Sequence, residues 1–459
     1  MSRTLLAFTI MACLCGCVHD RQYQRPALPV AANWPGSTAG VSTPSAPNAA
    51  DVKWQDFFTD KTLQSVIELA LANNRDLRMA ALNVEKVHAL YRIQRAQQFP
   101  TISAAAEGQV YRTRAGSSSS TEQYSVGFGV ASWELDLFGR VRSLKRQALE
   151  QYLATEQARS ASQIALVSAV AATYLSLAGD RDNLRLAETT LKAQQASYDL
   201  ILRSRNAGIA SDLDLRQAQT QVEAARVDVA RYTAQVELDG NALTLLVGAR
   251  VAPSLLPNEL GSDNALKDIS PGLPSETLLG RPDIVVAEHQ LKAAYANIGA
   301  ARAAYFPRIT LTGAAGFMSS DLSKLFTGDA RGWTLAPQIV LPLFDAGARQ
   351  ANAKAAQADR DIAIAAYEKT IQSAFREVSD SLTLRTWLIE QEKAQQSLVD
   401  ALDATYRLSE ARYKAGIDSY LSVLVAQRTL YAAQQGLVSL RMARMTNLVT
   451  LYKVLGGGA

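Results

Sequence analysis

Arg95-Ala96-Gln97-Gln98-Phe99-Pro100-Thr101-Ile102-Ser103-Ala104 decides the fold of this chain, because it holds a helix end, a stop and a strand start, and because it occurs twice. Proline disfavours the α conformation in the residue before it, so the helical pattern over 62–98 must stop at Phe99. Beyond the stop, Ile102, Ala104, Ala106, Gly108 and Val110 alternate with Thr101, Ser103, Ala105, Glu107 and Gln109, the period of a strand wet on one face. The same order returns in Arg302-Ala303-Ala304-Tyr305-Phe306-Pro307-Arg308-Ile309-Thr310-Leu311, a spacing of 207 residues.

Working outward, the correspondence extends over the whole chain. Asp76 matches Asp283, Leu135-Asp136-Leu137-Phe138 matches Leu341-Pro342-Leu343-Phe344, and Ala207-Gly208-Ile209 matches Ala415-Gly416-Ile417. A tandem duplication follows. Its expected parts are repeat 1 over 59–250, a Pro-punctuated linker over 251–275, repeat 2 over 276–456 and a tail over 457–459. Each repeat reads as helix, strand, strand, long helix, turn, helix. Residues 140–206 hold no Pro and one Gly, which predicts a helix of about 100 Å. Leu215, Val222, Val229, Val236 and Leu243 recur every seven residues, and Val423, Leu430, Leu437 and Leu451 keep that period in the second copy, so these helices need partners. Ala348, Ala351, Ala355, Ala358, Ile362 and Ala365 form a seam of small residues on the second long helix.

Three further runs alternate: Val126, Phe128 and Val130; Ile309, Leu311 and Phe317; and Leu335, Ile339, Leu341 and Leu343. Each is about the length of a tilted transmembrane β-strand, with Trp133, Trp333, Tyr111 and Tyr124 near the ends where aromatic girdles lie. Open sheet edges are not tolerated in lipid, and about 8 strands is the smallest closed barrel. Four strands per chain therefore predict oligomerisation, as a dimer or a trimer. The loops Thr113–Gln123 and Ser319–Gly332 are polar.

The 459 residues carry 47 Lys+Arg against 43 Asp+Glu with no dense basic run, which argues against nucleic acid as a partner. No stretch after the N-terminus is an uninterrupted run of about 18 apolar residues, so no helical membrane span is expected. Arg3 and the apolar run Leu5–Ala12 have the layout of a signal peptide over 1–16. Leu14-Cys15-Gly16-Cys17 is similar to a bacterial lipobox, which makes Cys17 the expected lipidated first residue of the mature chain, and residues 17–58 an extended strap. Val18, in place of an Asp, favours the outer membrane. With all three cysteines in the leader or under lipid, no disulfide is expected, and the covalent lipid is the only added group. His19, His88 and His289 are scattered and no nucleophile-base constellation is present, so no enzyme and no metal site are expected.

Cys17 with Tyr23-Gln24-Arg25-Pro26, the Leu273-Pro-Ser-Glu-Thr-Leu-Leu-Gly-Arg-Pro-Asp283 segment, Trp133-Glu-Leu-Asp-Leu-Phe-Gly139 and the paired turns around Gly208 and Gly416 together resemble the outer-membrane efflux factor (TolC-like) family. The likeness is greatest to its NodT-type lipoprotein branch. The resemblance implies an α+β membrane protein: a homotrimer with a 12-stranded outer-membrane β-barrel continued by a coiled-coil α-helical barrel through the periplasm. It also implies a periplasmic adaptor and an inner-membrane resistance-nodulation-division transporter as partners, and passive conduction of drugs or toxic organics to the exterior. By resemblance Gly208, Ile209, Ser211, Gly416, Ile417 and Ser419 are adaptor contacts, and Asp418, Tyr413 and Asp212 line the periplasmic aperture. The competing reading is a lipidated coiled-coil adaptor or structural protein, for which one helical hairpin flanked by β-domains is expected instead of a doubled unit.

Overall fold

A computed structural model describes residues 23–34, 52–113, 119–261, 266, 267, 269 and 274–457. Cys17, the leader 1–16 and most of the strap fall outside the described residues, as does part of the linker. The first half contains α1 Trp54–Phe57, α2 Lys61–Asn73, α3 Arg75–Ala96, β1 Ile102–Thr113, β2 Ser119–Glu134, α4 Arg140–Asn206 and α5 Asp212–Val247. The second contains α6 Pro274–Leu279, α7 Pro282–Ala303, β3 Arg308–Ser319, β4 Arg331–Val340, α8 Ala348–Lys414 and α9 Tyr420–Val454. The element order thus recurs, and α4 and α8 are each 67 residues long.

The chain divides into two compact units. The first gathers Leu82–Glu156, Val286–Lys369 and the strap up to Ala27 around one sheet. Its strands lie in the order β1-β2-β3-β4, all neighbours antiparallel. Register puts Ala104, Phe128, Ala315 and Trp333 in one row and Ala105, Gly127, Gly316 and Gly332 in the next. One face is therefore apolar and the other small and polar, as the alternation requires. The apolar face is bare: Ile102, Phe128 and Trp333 are 70%, 67% and 77% exposed. Gly127 and Gly316 meet so closely that a Cβ on Gly127 would lie 2.5 Å from the Ala315 carbonyl oxygen. Among the described residues the outer edges of β1 and β4 pair with no strand.

Three sequence expectations shift here. The strands reach further into the loops than expected, since Ser119–Gln123 and Arg331–Gly332 are strand. Leu341 and Leu343 fall beyond β4, which stops at Val340 just before Pro342, a residue with no N–H for a ladder. The alanine row Ala351, Ala355 and Ala358 is exposed, and the seam inside this unit runs instead through Ala356, packed on Ile298 and Ala301.

The strap is tied to this unit by one carboxylate. Glu288, 4% exposed, accepts Arg25 Nη2 at 3.0 Å and the Tyr23 hydroxyl at 3.0 Å, with Lys292 Nζ at 3.2 Å. Burial raises the pKa of Glu288, but these hydrogen bonds outweigh it and hold the carboxyl below its ordinary range.

The second unit comprises Leu28–Ala81, Gln157–Val285 and Thr370–Ala459. Tyr452 stacks on Phe57 at 4.0 Å in its core, and Leu243, Val423, Leu430, Leu437 and Leu451 of the seven-residue pattern are buried. The missing heptad step is Arg444, whose Nε lies 2.7 Å from Glu392. The single helix expected over 62–98 is broken at Asn74, whose side chain accepts from Leu77 N–H and donates to the Leu246 carbonyl. The equivalent position in repeat 2 is Arg281, which breaks α6 from α7 while bonding Asp283, Glu377 and the Val454 carbonyl. Although no uninterrupted apolar run is present, α4 contains an 18-residue window apolar enough, by length and composition, to cross a membrane. More than half of that window is buried, with Val167, Val170, Ala171 and Leu177 at 1% exposure or less, so the apolarity of this helix supplies packing.

Candidate functional site

The two turns that close the α4/α5 and α8/α9 hairpins are built alike. Gly208 and Gly416 take φ of 76° and 72°, the left-handed region that side chains disfavour. Around Gly208, Ile209 N–H donates to Ser204 and Gly208 N–H to Arg205; around Gly416, Ile417 N–H donates to Arg412 and Gly416 N–H to Tyr413. Both are Schellman closures, which satisfy the last carbonyls of the incoming helix. Ser211 then caps α5 in a reciprocal capping box with Asp214, an arrangement worth about 1 kcal/mol. Ser419 stands at the same place before α9 without a side-chain cap. Ile209 and Ile417 project at 83% and 63% exposure.

Charge is paired across each turn. Asp418 receives two hydrogen bonds from Arg412, at 2.6 and 2.9 Å, and Asp212 receives Arg205 Nε at 2.9 Å. The Arg412 guanidinium holds the Asp418 carboxyl below the usual range, so the pair stays ionised at neutral pH. The sequence points to Asp418 and Asp212 but to neither arginine; the repeat does not mark them, because the aligned turns set Arg205 against Tyr413 and Arg412 against Ser204, and the signal that could find them is an Arg in the last turn of each incoming helix with an Asp just past the Gly. Tyr413 packs beside Tyr420, ring centroids 5.4 Å apart, against a cluster of Ile201, Ala218, Val423 and Leu424. Burial pushes both phenols up, so they are neutral and act through packing. Gly208, Ile209, Ser211 and Asp212 come together at one turn, and Tyr413, Gly416, Ile417, Asp418 and Ser419 at the other. Cys17 lies outside the described residues.

A bare apolar sheet in one unit, and long paired helices ending in exposed capped turns in the other, define a membrane-inserted channel subunit as the class. The sequence profile described as outer membrane efflux protein matches residues 66–249 and 273–457. The chain is 49% identical to an antibiotic efflux pump outer membrane protein, ArpC, of Pseudomonas putida, covering 100% of this chain and 96% of that one. It is also 49% identical, at the same coverage, to a toluene efflux pump outer membrane protein, TtgC, again of Pseudomonas putida. Among solved structures it is similar to the open state of the MtrE outer membrane channel of Neisseria gonorrhoeae, with a TM-score of 0.88, 37% identity and coverage of 96% and 98% of the two chains. The chain belongs to the outer membrane efflux protein family. It is an outer-membrane protein of efflux, in a family whose members are channels of efflux pumps, and the adaptor alternative is set aside.

Proposed function

We propose that three copies of this chain form the exit duct of a tripartite efflux pump. The observation that carries this reading is the sheet: four strands, two unpaired edges and a bare apolar face. In lipid each unpaired backbone group would cost several kcal/mol, so the edges must be closed by further copies, and three supply 12 strands. The exposed alanine row of α8 supports partner helices from those copies, since small residues let helix axes approach closely. The chain reads as two duplicated halves over 59–250 and 276–456, and lipid on Cys17 adds a second membrane hold beside the barrel. A periplasmic adaptor docks on the turns through Ile209 and Ile417, and an inner-membrane transporter supplies the energy. Relatives named for an antibiotic pump and for a toluene pump are equally identical to this chain, which supports a duct indifferent to the cargo's chemistry.

At the aperture, Asp418, Tyr413 and Asp212 act with Arg412 and Arg205. Each acid is neutralised within its own turn, so opening is a rearrangement of Arg–Asp pairs and not relief of a bare ring of carboxylates. The test is single-channel recording of purified protein together with its oligomer mass. Asp418→Ala is expected to raise conductance above wild type. A monomer without conductance would overturn the duct, and an unchanged, closed channel in the variant would overturn the gating role alone.

A further inference from the structure

Where the helices meet the sheet, the chain is far more basic than its average. The last turns of α3 and α7 and the start of β3 carry Arg92, Arg95, Arg302 and Arg308. The opening turns of α4 carry Arg140, Arg142, Lys145 and Arg146, and those of α8 carry Arg349 and Lys354. Against these ten stand three carboxylates, Glu134, Asp136 and Asp345. The rest of the chain, taken from totals of 47 and 43, holds 37 Lys+Arg and 40 Asp+Glu, so the excess positive charge is concentrated in this collar.

All three acids are already engaged. Asp136 accepts the Val141 and Arg142 N–H groups at 3.0 and 2.8 Å, and Asp345 accepts those of Gly347 and Arg349, both at 3.1 Å, so each caps a helix. Glu134, with 10% of its side chain exposed, lies between Arg140 and Arg308 at 2.7 Å from each. Among the described residues Arg92, Arg95, Lys145, Arg302 and Lys354 pair with no carboxylate. The first turns of α4 and α8 contain no acid. Basic side chains at a helix N-terminus oppose the helix dipole, an arrangement that an external anion stabilises.

The collar borders the bare apolar face. A cavity of about 410 Å³ opens there, lined by Glu134, Asp136, Phe138, Arg140, Phe306 and Arg308 among others, with Phe138 and Phe306 stacked at 5.0 Å. Arg140 and Arg308 are held there by Glu134, so the cations left for an external phosphate ester are Arg92, Arg95, Lys145, Arg302 and Lys354 of the surrounding collar. By sequence the opposite strand ends are nearly balanced, with Arg112, Arg114, Lys324 and Arg331 against Glu122, Asp321 and Asp329.

We propose that this collar binds the anionic headgroups of phospholipids in the membrane leaflet that faces the periplasm. The proposal rests on the barrel reading, which fixes the collar at the level of that leaflet. Cations at such a depth attract acidic lipid, each changing occupancy by roughly fivefold, and the attraction falls with salt. The lipids thereby set the depth and tilt of the duct.

The test reconstitutes the full-length oligomer in nanodiscs of phosphatidylcholine with one quarter phosphatidylglycerol and counts retained lipids by native mass spectrometry. Wild type is expected to keep phosphatidylglycerol over phosphatidylcholine, with retention falling as salt is raised from about 50 to 500 mM. The variant R95Q/K145Q/R302Q/K354Q should lose that preference by at least about tenfold, while the same four positions as R95K/K145R/R302K/K354R keep it. Equal retention of both lipids by wild type, or retention independent of salt, would overturn the proposal whether or not the neutralised variant assembles. Conductance and oligomer mass are read on the same samples, so loss of lipid preference in a conducting oligomer is distinct from failure of the duct itself.

Discussion

Asp180 of α4 and Asp239 of α5 are neighbouring carboxyls, and Asp239 Oδ2 is buried with no hydrogen-bond partner. Burial first, then the neighbouring Asp239 carboxyl and its charge, push Asp180 up to about 6. Gln235 Nε2 donates to Asp239 Oδ1 at 3.2 Å and fixes that acid's orientation. A carboxyl whose folded pKa lies above its unfolded value of about 3.9 binds its proton more tightly in the native state. Its contribution is therefore full below about pH 4, is lost as pH rises from about 4 to about 6, and is absent above that window. Asp180→Asn should flatten the stability profile across that window and stabilise the protein at pH 7.5 by on the order of 1 kcal/mol per chain, discounted for partial solvent exposure. Differential scanning calorimetry against pH checks this, and a profile as steep as wild type would refute the raised Asp180. Glu288 has the opposite sign: its folded pKa is depressed, so its hold on the strap is present above about pH 4.3 and fails as pH falls through the folded value. Glu288→Gln removes the charge that Arg25 and Lys292 share, and should speed protease cleavage of the strap at neutral pH while the sheet stays resistant. Unaltered cleavage would assign the anchoring to Tyr23 and Tyr295, whose rings meet at 5.8 Å.

At the scale of elements, two glycine positions separate strain from collision. A Cβ on Gly416 meets nothing within 4 Å, so Gly416→Ala incurs only the left-handed backbone penalty, about 1 kcal/mol, and should loosen the turn. Hydrogen exchange over residues 412–420 is expected to accelerate roughly fivefold with the remaining helices unchanged. A Cβ on Gly127 would stand 2.8 Å from Gly316 Cα, so Gly127→Ala should part β2 from β3 and block membrane assembly. These elements differ in how plainly the sequence announces them. The stop at Phe99, the alternation of β1 and the Gly-closed turns are legible because each follows from a local rule of proline, of pleat or of positive φ. The break at Asn74 is not, because no Pro or Gly marks it. It is imposed by the Leu246 carbonyl that Asn74 must reach and by Gly248, where a Cβ would sit 2.5 Å from the Asn73 oxygen. Repeat 2 does carry a local mark at the equivalent point, Gly280 and Pro282, and carrying it back by 207 residues locates the first break. The pairs Arg205–Asp212 and Arg412–Asp418 are hidden for a related reason: each closes across a turn whose tightness the spacing alone does not give. Arg444 occupies a seam position that the period assigns to an apolar residue, and Glu392, far along the chain, makes it tolerable.

For the whole molecule, the decisive property is that adjacent residues of one strand meet different solvents. Leu335 is 60% exposed on the apolar face, in the row of Ile102, Val130 and Gly313, while Thr334 belongs to the opposite face with Ser103, Gly129 and Ala314. In the proposed barrel the first face is lipid and the second is the water of the conduit, so the same charge placed one residue apart should have opposite consequences. An arginine on the lipid side near mid-membrane costs about 2–4 kcal/mol per chain, and three chains multiply that into a penalty comparable with the whole stability of a domain. Leu335→Arg should therefore deplete the protein from the outer-membrane fraction and abolish the oligomer. Thr334→Arg should insert normally, because its guanidinium stays hydrated, and should lower single-channel conductance and cation preference by adding three positive charges to the conduit wall. Quantitative blotting of membrane fractions with bilayer recording of the purified variants distinguishes the two. Equal tolerance of both substitutions would mean that neither face meets lipid, and the sheet would then have to be closed by protein on both sides.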